Sequence, residues 1–257
     1  MLDDLIVYRE AEGDSYFLVI NAACRERDVA WMRSRQEPGI QIEDESDGWG
    51  GMAVQGGNAC ELLDADWIPP RFSLRRPKPG VVICRTGYTG EDGFEFFAPR
   101  RDLAGWWQKM LAGGAVPCGL GARDSLRLEK AYPLNGSDLT PSTSPLEAGL
   151  GRFVDLEKGG FVGREVLLAQ KAKGLERSLV AVKMLGKSPP PRPGYPMLFD
   201  GKQVGTLTSG GLSPTLGTGI GMGYVERGSG AHRLGTEMEI EIRGKGFSAE
   251  VVRKPFV

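Results

Sequence analysis

The spacing of hydrophobic residues along the chain changes near residue 175. Before that point, apolar runs of strand length alternate with apolar positions at helical spacing. Positions 103, 106, 107, 110 and 111 are all apolar, and this spacing predicts an amphipathic helix over 103–111. Further helices are predicted over 119–130 and 163–173, and another opens at Asn21 and ends before Pro38. The strands predicted for this part are 5–8, 15–20, 81–84 and 94–97.

After residue 175 the pattern is one of short strands separated by glycine turns. Their even spacing favours a small antiparallel barrel or sandwich. Ser188–Gly194 contains four prolines and must be a loop, because proline lacks the backbone donor that a helix or sheet needs. The sequence therefore predicts an α+β protein with two domains, residues 1–175 and 176–257. The strands predicted for the second domain are 179–184, 204–208, 220–225, 238–242 and 247–252.

Charge and composition exclude several classes of function. The 257 residues carry 32 basic and 33 acidic side chains, a net charge of −1, which gives no general attraction to nucleic acid or to an anionic membrane. No apolar run approaches the length of a membrane span, and residues 1–30 lack the basic start and apolar core of a signal peptide. We therefore expect a cytoplasmic protein that binds neither nucleic acid nor membrane.

The chain has a single histidine, His232, and four scattered cysteines without a C-x-x-C pair. His232 lies in a glycine-rich stretch that is typical of an exposed loop, so a histidine-dependent nucleophile or metal site is not expected. The cysteine pattern suits reduced, mostly buried thiols. Any chemistry must therefore depend on carboxylates, arginines and tyrosines or on a bound cofactor, and no metal site is predicted.

The stretch 85–95 (RTGYTGEDGFE) is the most informative polar segment. It places three glycines, Tyr88 and a cluster of carboxylates between two predicted strands, which indicates a tight corner at the end of a sheet. A phosphate loop is excluded because the Lys-Ser/Thr pair of that motif is absent. The corner is then either a solvated turn or a site that presents acidic side chains and a tyrosine.

Two other polar stretches are candidates. Arg123 and Arg127 lie at i, i+4 on one face of a predicted helix, where they suit either a carboxylate-bearing ligand or an ion-pair network with neighbouring acidic residues (Asp124 and Glu129). Asp3 and Asp4 precede the first strand, and since successive strand side chains alternate, at most one of them points into a site.

Nine short motifs occur here in the order in which they occur in the folate-dependent aminomethyltransferases, the T-proteins of the glycine cleavage system. Each motif is weak alone, but nine in order span essentially the whole chain, which therefore resembles this family. The motifs are DDLIV from Asp3, VxNA from Val19, AVQG from Ala53, RTGYTGEDGFE from Arg85, GLGARDSLRLE from Gly119, SPLEAGLG from Ser144, FVGRE from Phe161, TSGxxSPTLG from Thr208 and KPF from Lys254.

The resemblance implies a fold and an activity. T-proteins have two mixed α/β lobes and a C-terminal β-barrel in a cloverleaf arrangement around tetrahydrofolate. They take the aminomethyl group from the dihydrolipoyl arm of lipoylated H-protein, release ammonia and form 5,10-methylenetetrahydrofolate. Tetrahydrofolate is thus the implied acceptor substrate, H-protein is the implied partner, and no metal is required.

The resemblance also assigns roles to residues. Glu95 matches the carboxylate that binds the pterin, and Arg123 matches an arginine that contacts substrate. Asp4 corresponds to the catalytic aspartate, with Asp3 as the alternative if the register shifts by one; a mild effect is expected for Asp3→Asn. Tyr88 and Asn21 line the folate pocket, although Asn21 can equally be a helix N-cap.

Other functions of the same fold are open alternatives. One is a non-catalytic or truncated folate-binding protein, such as the iron–sulfur maintenance relative, whose cysteine motif is replaced here by Gly159–Glu165 without a cysteine. Another is a folate-dependent demethylase relative. Family members carry a considerable segment before the DDLIV strand, so we expect the first domain to be N-terminally incomplete.

Overall fold

The computed structural model describes residues 1–10 and 13–257, which form two compact units: Asp3–Arg123, and Asp124–Val257 together with Met1–Leu2. The helices are α1 (Arg25–Ser34), α2 (Leu103–Ala112), α3 (Leu120–Glu129) and α4 (Arg164–Lys173). The strands are β1 (Ile6–Arg9), β2 (Tyr16–Val19), β3 (Trp49–Gln55), β4 (Leu74–Lys78), β5 (Val81–Cys84), β6 (Gly93–Pro99), β7 (Arg177–Met184), β8 (Pro196–Phe199), β9 (Lys202–Ser213), β10 (Thr218–Glu226), β11 (Glu237–Ile242) and β12 (Lys245–Val252).

The unit Asp3–Arg123 is built on a four-stranded antiparallel sheet with strand order β3-β6-β5-β4, beside the β1–β2 hairpin. Alternation along β5 and β6 gives the sheet two apolar faces. One face buries Ile83 and Phe96 against Met110 of α2. The other packs Val82 and Phe97 against the hairpin, whose Tyr8 is 2% exposed. The hairpin is therefore fixed to one face of the sheet.

The second unit contains a closed barrel with strand order β10-β7-β12-β11-β8-β9. Alternate side chains of its strands fill the interior, including Val182 and Ile240, both without exposed surface. The opposite side of β10 packs against α3 through Ile220, Met222 and Leu128. The predicted α+β class is thus confirmed, and of the two arrangements that the strand pattern left open, the barrel is the one observed.

Every predicted strand and helix is present, most of them with shifted bounds, but three strands were not predicted. β3 has two glycines directly after its first residue, β4 contains Pro77, and β8 is four residues long and starts with Pro196. These residues have low strand propensity, so neighbouring strands in the sheet and barrel must supply the stabilisation. The helix predicted to run from Asn21 to Pro38 is shorter, a 3₁₀ turn followed by α1. The domain boundary near residue 175 stays a prediction.

The histidine and cysteines differ in part from expectation. The imidazole of His232 is half-buried, not exposed, its Nδ1 has no hydrogen-bond partner among the residues described, and burial lowers its pKa. None of the four cysteines, all in the described ranges, forms a disulfide: Cys24 and Cys84 are buried, as predicted, whereas Cys118 is exposed. No helix in the described ranges is both long and apolar enough to cross a bilayer.

Candidate functional site

The corner Arg85–Glu95 connects β5 to β6 and is fixed by an ion pair. Arg85 binds Asp92 through two hydrogen bonds, Nε to Oδ1 at 3.2 Å and Nη2 to Oδ2 at 2.7 Å. The Arg85 guanidinium lowers the pKa of Asp92 to about 2, so this carboxylate stays ionised within its pair. Asp92 is therefore a structural member of the acidic cluster.

Gln55, at the end of β3, holds the other side of the corner. Its Nε2 donates to the carbonyl oxygens of Thr86 and Phe94, each at 3.2 Å, and its Oε1 accepts from Thr89 at 3.3 Å. Gly87 packs so tightly on this amide that an added Cβ would lie 1.7 Å from Gln55 Oε1. A side chain at position 87 would therefore displace the Gln55 amide from its hydrogen bonds, because the corner passes directly over it.

Glu95 lies on the central strand β6, opposite Ala53 and Cys84, and faces the hairpin side of the sheet. Thr86 Oγ1 donates to Glu95 Oε2 at 2.6 Å, and the hydroxyl of Tyr8 lies 2.5 Å from the same Oγ1. Since the one proton of Thr86 goes to the carboxylate, Tyr8 donates to Thr86. Burial raises the pKa of Tyr8, which keeps the phenol protonated for this role.

The hydrogen bonds from Tyr8 to Thr86 and from Thr86 to Glu95 fix one oxygen of the half-buried Glu95 carboxylate. Glu95 Oε1 accepts no hydrogen bond from any residue in the ranges 1–10 and 13–257, so it is the atom that a ligand donor can reach. Glu95 Oε1 is thus a hydrogen-bond acceptor of fixed orientation, because the Thr86 bond holds the rest of the carboxylate in place.

We expect Thr86→Val to lower the free energy of unfolding by about 1–3 kcal/mol, because it leaves the buried Tyr8 hydroxyl and Glu95 Oε2 without their partner. Tyr8→Phe is the matched control: it removes one hydroxyl and leaves the Thr86–Glu95 bond intact, so about 0.5–1.5 kcal/mol is expected. Urea denaturation of both variants checks the order. If Tyr8→Phe lowered the free energy of unfolding more than Thr86→Val does, the proposed hydrogen bonds from Tyr8 through Thr86 to Glu95 would be contradicted.

The two adjacent aspartates have different surroundings. Asp3 accepts three N–H bonds: at Oδ1 from Asp4 N (2.9 Å) and Asn21 Nδ2 (2.6 Å), and at Oδ2 from Asn21 N (3.2 Å). The Asp4 side chain makes a long contact, 3.5 Å from its Oδ1 to Asn21 Nδ2. Both side chains are half-buried. β1 begins only at Ile6, so strand alternation does not extend to this pair.

Asn21 occupies the position before the 3₁₀ turn Ala22–Cys24, but its side chain makes no capping hydrogen bond. Its amide instead donates to Asp3 and to the carbonyl oxygen of Asp4, the latter at 3.1 Å. The interpretation of Asn21 as a helix N-cap is therefore wrong for its side chain, which clamps the segment before β1.

Arg123 and Arg127, predicted on one helix face, do not act as a pair. The guanidinium carbon of Arg123 lies 4.4 Å from the ring centroid of Tyr88, a cation–π stack that orients an exposed arginine. Arg127 is 2% exposed and binds Asp138 and Asp124, at 3.0 Å and 2.6 Å. The ion-pair alternative thus holds for Arg127, although Glu129 takes no part in it and instead binds Ser213 and Thr215.

Sequence reasoning missed Tyr8, Thr86 and the group formed by Asp3, Cys24 and Asp28. In that group, one ligand atom from each residue lies within 4.8 Å of the other two, and it is the one such cluster found in the described part of the chain. The i, i+4 spacing of Cys24 and Asp28 was a signal that they share a helix face. Nothing in the sequence placed Asp3 against them.

Two protein-family models match this chain, each over a different part of it. Residues 1–158 match the family described as the GCVT N-terminal domain, and residues 177–257 match the glycine cleavage T-protein C-terminal barrel domain. The chain belongs to the glycine cleavage T-protein family. The resemblance seen in the nine motifs is thereby confirmed.

Individual T-protein relatives agree closely. An aminomethyltransferase of Moorella thermoacetica is 44% identical over 269 residues, covering 100% of this chain and 72% of that protein. One from Halothermothrix orenii is 40% identical and covers 100% and 74%. The crystal structure of glycine cleavage system aminomethyltransferase T from Bartonella henselae superposes with a TM-score of 0.91 at 36% identity, covering 100% of this chain and 72% of that one.

Proposed function

We propose that this T-protein family member transfers the aminomethyl carbon from the dihydrolipoyl arm of lipoylated H-protein to tetrahydrofolate, releasing ammonia and forming 5,10-methylenetetrahydrofolate. The observation that carries the proposal for this chain is the carboxylate of Glu95, held by Thr86 and Tyr8 with one oxygen available. The relatives named aminomethyltransferase support an enzyme over a non-catalytic folate-binding protein or a demethylase.

Glu95 suits the pterin because of hydrogen-bond type. The amino-pyrimidine edge of a pterin presents paired N–H donors, which a glutamate accepts as charge-assisted hydrogen bonds. A central strand of a four-stranded sheet and the Thr86 bond restrict the rotation of this carboxylate. Little side-chain freedom is then lost when the ligand binds.

Asp4 suits the reacting carbon because of charge. The carbon becomes electron-poor and iminium-like as ammonia departs, and a carboxylate can stabilise that positive charge and assist proton transfer at the folate nitrogens. The contacts around Asp3 support Asp4 over Asp3, because both oxygens of Asp3 already accept N–H bonds. Asn21 fixes the backbone at Asp4 by binding its carbonyl oxygen.

Arg123 and Tyr88 complete the proposed site. The Arg123 guanidinium lies over the Tyr88 ring, and a guanidinium in such a contact can still donate its N–H groups to an anionic part of the substrate. Tyr88, from the rigid corner, offers an aromatic surface to the folate. Action on H-protein and a cytoplasmic location both stay predictions.

Titration calorimetry with tetrahydrofolate tests the proposal through Glu95→Ala. Losing charge-assisted hydrogen bonds should weaken binding by about 1.5–3 kcal/mol, roughly 10- to 150-fold in Kd. Glu61→Ala is the matched control, since Glu61 is an exposed glutamate in the same unit and its loss should leave Kd unchanged. Equal affinities for the native protein and Glu95→Ala would reject the role of Glu95.

A further inference from the structure

Asp28, on α1, is a buried carboxyl group with an incomplete set of hydrogen bonds. Its side chain is 5% exposed, and Oδ1 lies 3.3 Å from Nε of Arg27. Oδ2 is buried and receives no hydrogen bond from the residues described. Buried polar atoms in folded proteins nearly always have a partner. A carboxyl group in this position must therefore either carry a proton or have a cation beside it.

The nearest candidates are the other two members of the cluster, Asp3 and Cys24. One oxygen of each aspartate and the Cys24 sulfur lie within 4.8 Å of one another. Two carboxylates at this separation repel when both are ionised, and a single proton shared between them removes the repulsion. A thiol is a weak donor, and burial raises the pKa of Cys24, which keeps it protonated.

The hydrogen bonds decide which of the two aspartates keeps the proton. Asp3 accepts three N–H bonds, from Asp4 and Asn21, and such bonds stabilise the ionised form. Asp28 has one 3.3 Å contact with Arg27 and no donor at Oδ2. Asp3 is then the carboxylate and Asp28 the acid.

We propose that Asp28 carries a proton in the folded protein, donates it to Asp3, and so acts as a positioning residue for Asp4. Asp28 holds Asp3, Asp3 holds the backbone N–H of Asp4 and the side chain of Asn21, and Asn21 holds the carbonyl oxygen of Asp4. The positioning part rests on the proposed function, because Asp4 is its target. The protonation part rests on the geometry alone.

The titration of Asp28 follows from its surroundings. Burial, and next the hydrogen bond and charge of Asp3, raise the pKa of Asp28, and only Arg27 opposes them. The charged and titratable groups that face it are Asp3, Cys24 and Arg27. Because the folded-state pKa is raised above the unfolded value, the stabilisation is complete below the ordinary aspartate pKa and is lost as pH rises through the folded-state value.

A bound cation is the competing explanation for the cluster. The donor set of two carboxylates and a sulfur can ligate one. However, Nε of Arg27, 3.3 Å from Asp28 Oδ1, places a positive charge beside that carboxyl group, and Asn21 and Asp4 already use both oxygens of Asp3. A shared proton satisfies the group without displacing these bonds.

Carboxyl-carbon NMR of protein labelled with ¹³C at aspartate side chains tests the proton directly and needs no activity. We expect one aspartate resonance to titrate well above the usual range, and to disappear in Asp28→Asn. Its absence from the native spectrum would overturn the proposal. So would a stoichiometric metal ion that elemental analysis detects in the protein and that chelation removes with loss of thermal stability.

Activity then tests the positioning role. We expect Asp28→Ala to lower kcat at least tenfold, and Asp28→Asn to restore most of that loss, since its amide can donate to Asp3 as the protonated acid does. Native kcat should fall as pH rises through the Asp28 titration, and the asparagine variant should lack that fall. Glu26→Gln, an exposed change on the same helix, is the control and should match the native profile.

If Asp28→Asn is as impaired as Asp28→Ala while both fold, or if it keeps the native pH profile, the positioning role is rejected. If native protein itself shows no aminomethyl transfer while the raised titration is present, the proposed function fails and the protonation of Asp28 stands. The two failures are therefore distinguishable.

Discussion

Asp138→Asn is expected to lower the free energy of unfolding by about 3–5 kcal/mol, the cost of breaking a buried ion pair, because Asp124, the partner that Arg127 keeps, is 55% exposed. Asp138 has no exposed surface and Arg127 is 2% exposed, with Arg127 Nη1 at 3.0 Å from Asp138 Oδ2. The same carboxylate accepts from Leu134 N at 2.8 Å and from two barrel hydroxyls, Thr208 and Ser209. Replacing one oxygen by an NH₂ group removes the negative charge and puts a donor where the surrounding donors need an acceptor.

Urea denaturation gives the free energy, and the melting temperature should fall by roughly 6–20 °C. Asp124→Asn is the matched control: Asp124 contacts the same guanidinium but is 55% exposed, so about 1 kcal/mol or less is expected. The double variant Arg127→Met with Asp138→Asn should recover part of the loss, because the arginine charge that lost its buried partner is gone. A loss below 1 kcal/mol in the single variant, or no recovery in the double, would contradict this account.

Local elements of this fold were predictable because their signals are local. The apolar spacing at positions 103–111 and the apolar run Val81–Cys84 correspond to α2 and β5. β4 and β8 were not predictable in this way, since Pro77 and Pro196 argue against strands and only pairing with neighbouring strands overrides them. The closed form of the barrel also depends on pairing between strands that are distant in sequence.

The candidate site was predictable only through resemblance to a family. Spacing alone favoured a solvated turn for the corner that contains Glu95, and left Arg123 and Arg127 equivalent. The structure distinguishes these residues by contacts that local spacing does not show. Tyr8 hydrogen-bonds to Thr86, 78 positions away, and Arg127 forms an ion pair with Asp138. Hydrophobic periodicity does not encode such contacts, because they form only when β1 packs on its sheet and α3 packs on β10.

The same limit applied to Asp3. From sequence we expected Asp3→Asn to be mild, because the resemblance assigns the catalytic role to Asp4 and at most one of the two aspartates should point into a site. The structure instead gives Asp3 a structural role, because its side chain accepts three N–H bonds and lies close to Asp28. Asp3→Asn is therefore a poor control for Asp4, since it disturbs the clamp that holds Asp4.

Asp4→Asn is expected to lower kcat for aminomethyl transfer roughly a hundredfold or more, the size of effect associated with a lost general base or electrostatic group. The amide keeps the shape of the side chain and removes its charge. If the charge acts on the electron-poor carbon in the transition state, the loss falls on kcat and leaves the folate Kd within about twofold. The assay uses aminomethylated H-protein and tetrahydrofolate, with methylenetetrahydrofolate as the readout.

Asp14→Asn is the matched control for Asp4→Asn, because Asp14 belongs to the same hairpin region, its side chain is 99% exposed, and its one ion pair with Arg9 is long at 3.7 Å. The control should keep native kcat while making the same change in net charge, so a general effect of charge on H-protein association would appear in both variants. If Asp4→Asn instead raises the folate Kd in proportion to its loss of rate, Asp4 binds substrate and does not act on the transition state. If kcat is unchanged, the carboxylate mechanism is wrong for this protein, because Asp3 is already committed to Asn21 and Asp28 and no other carboxylate of the DDLIV strand remains to take its place.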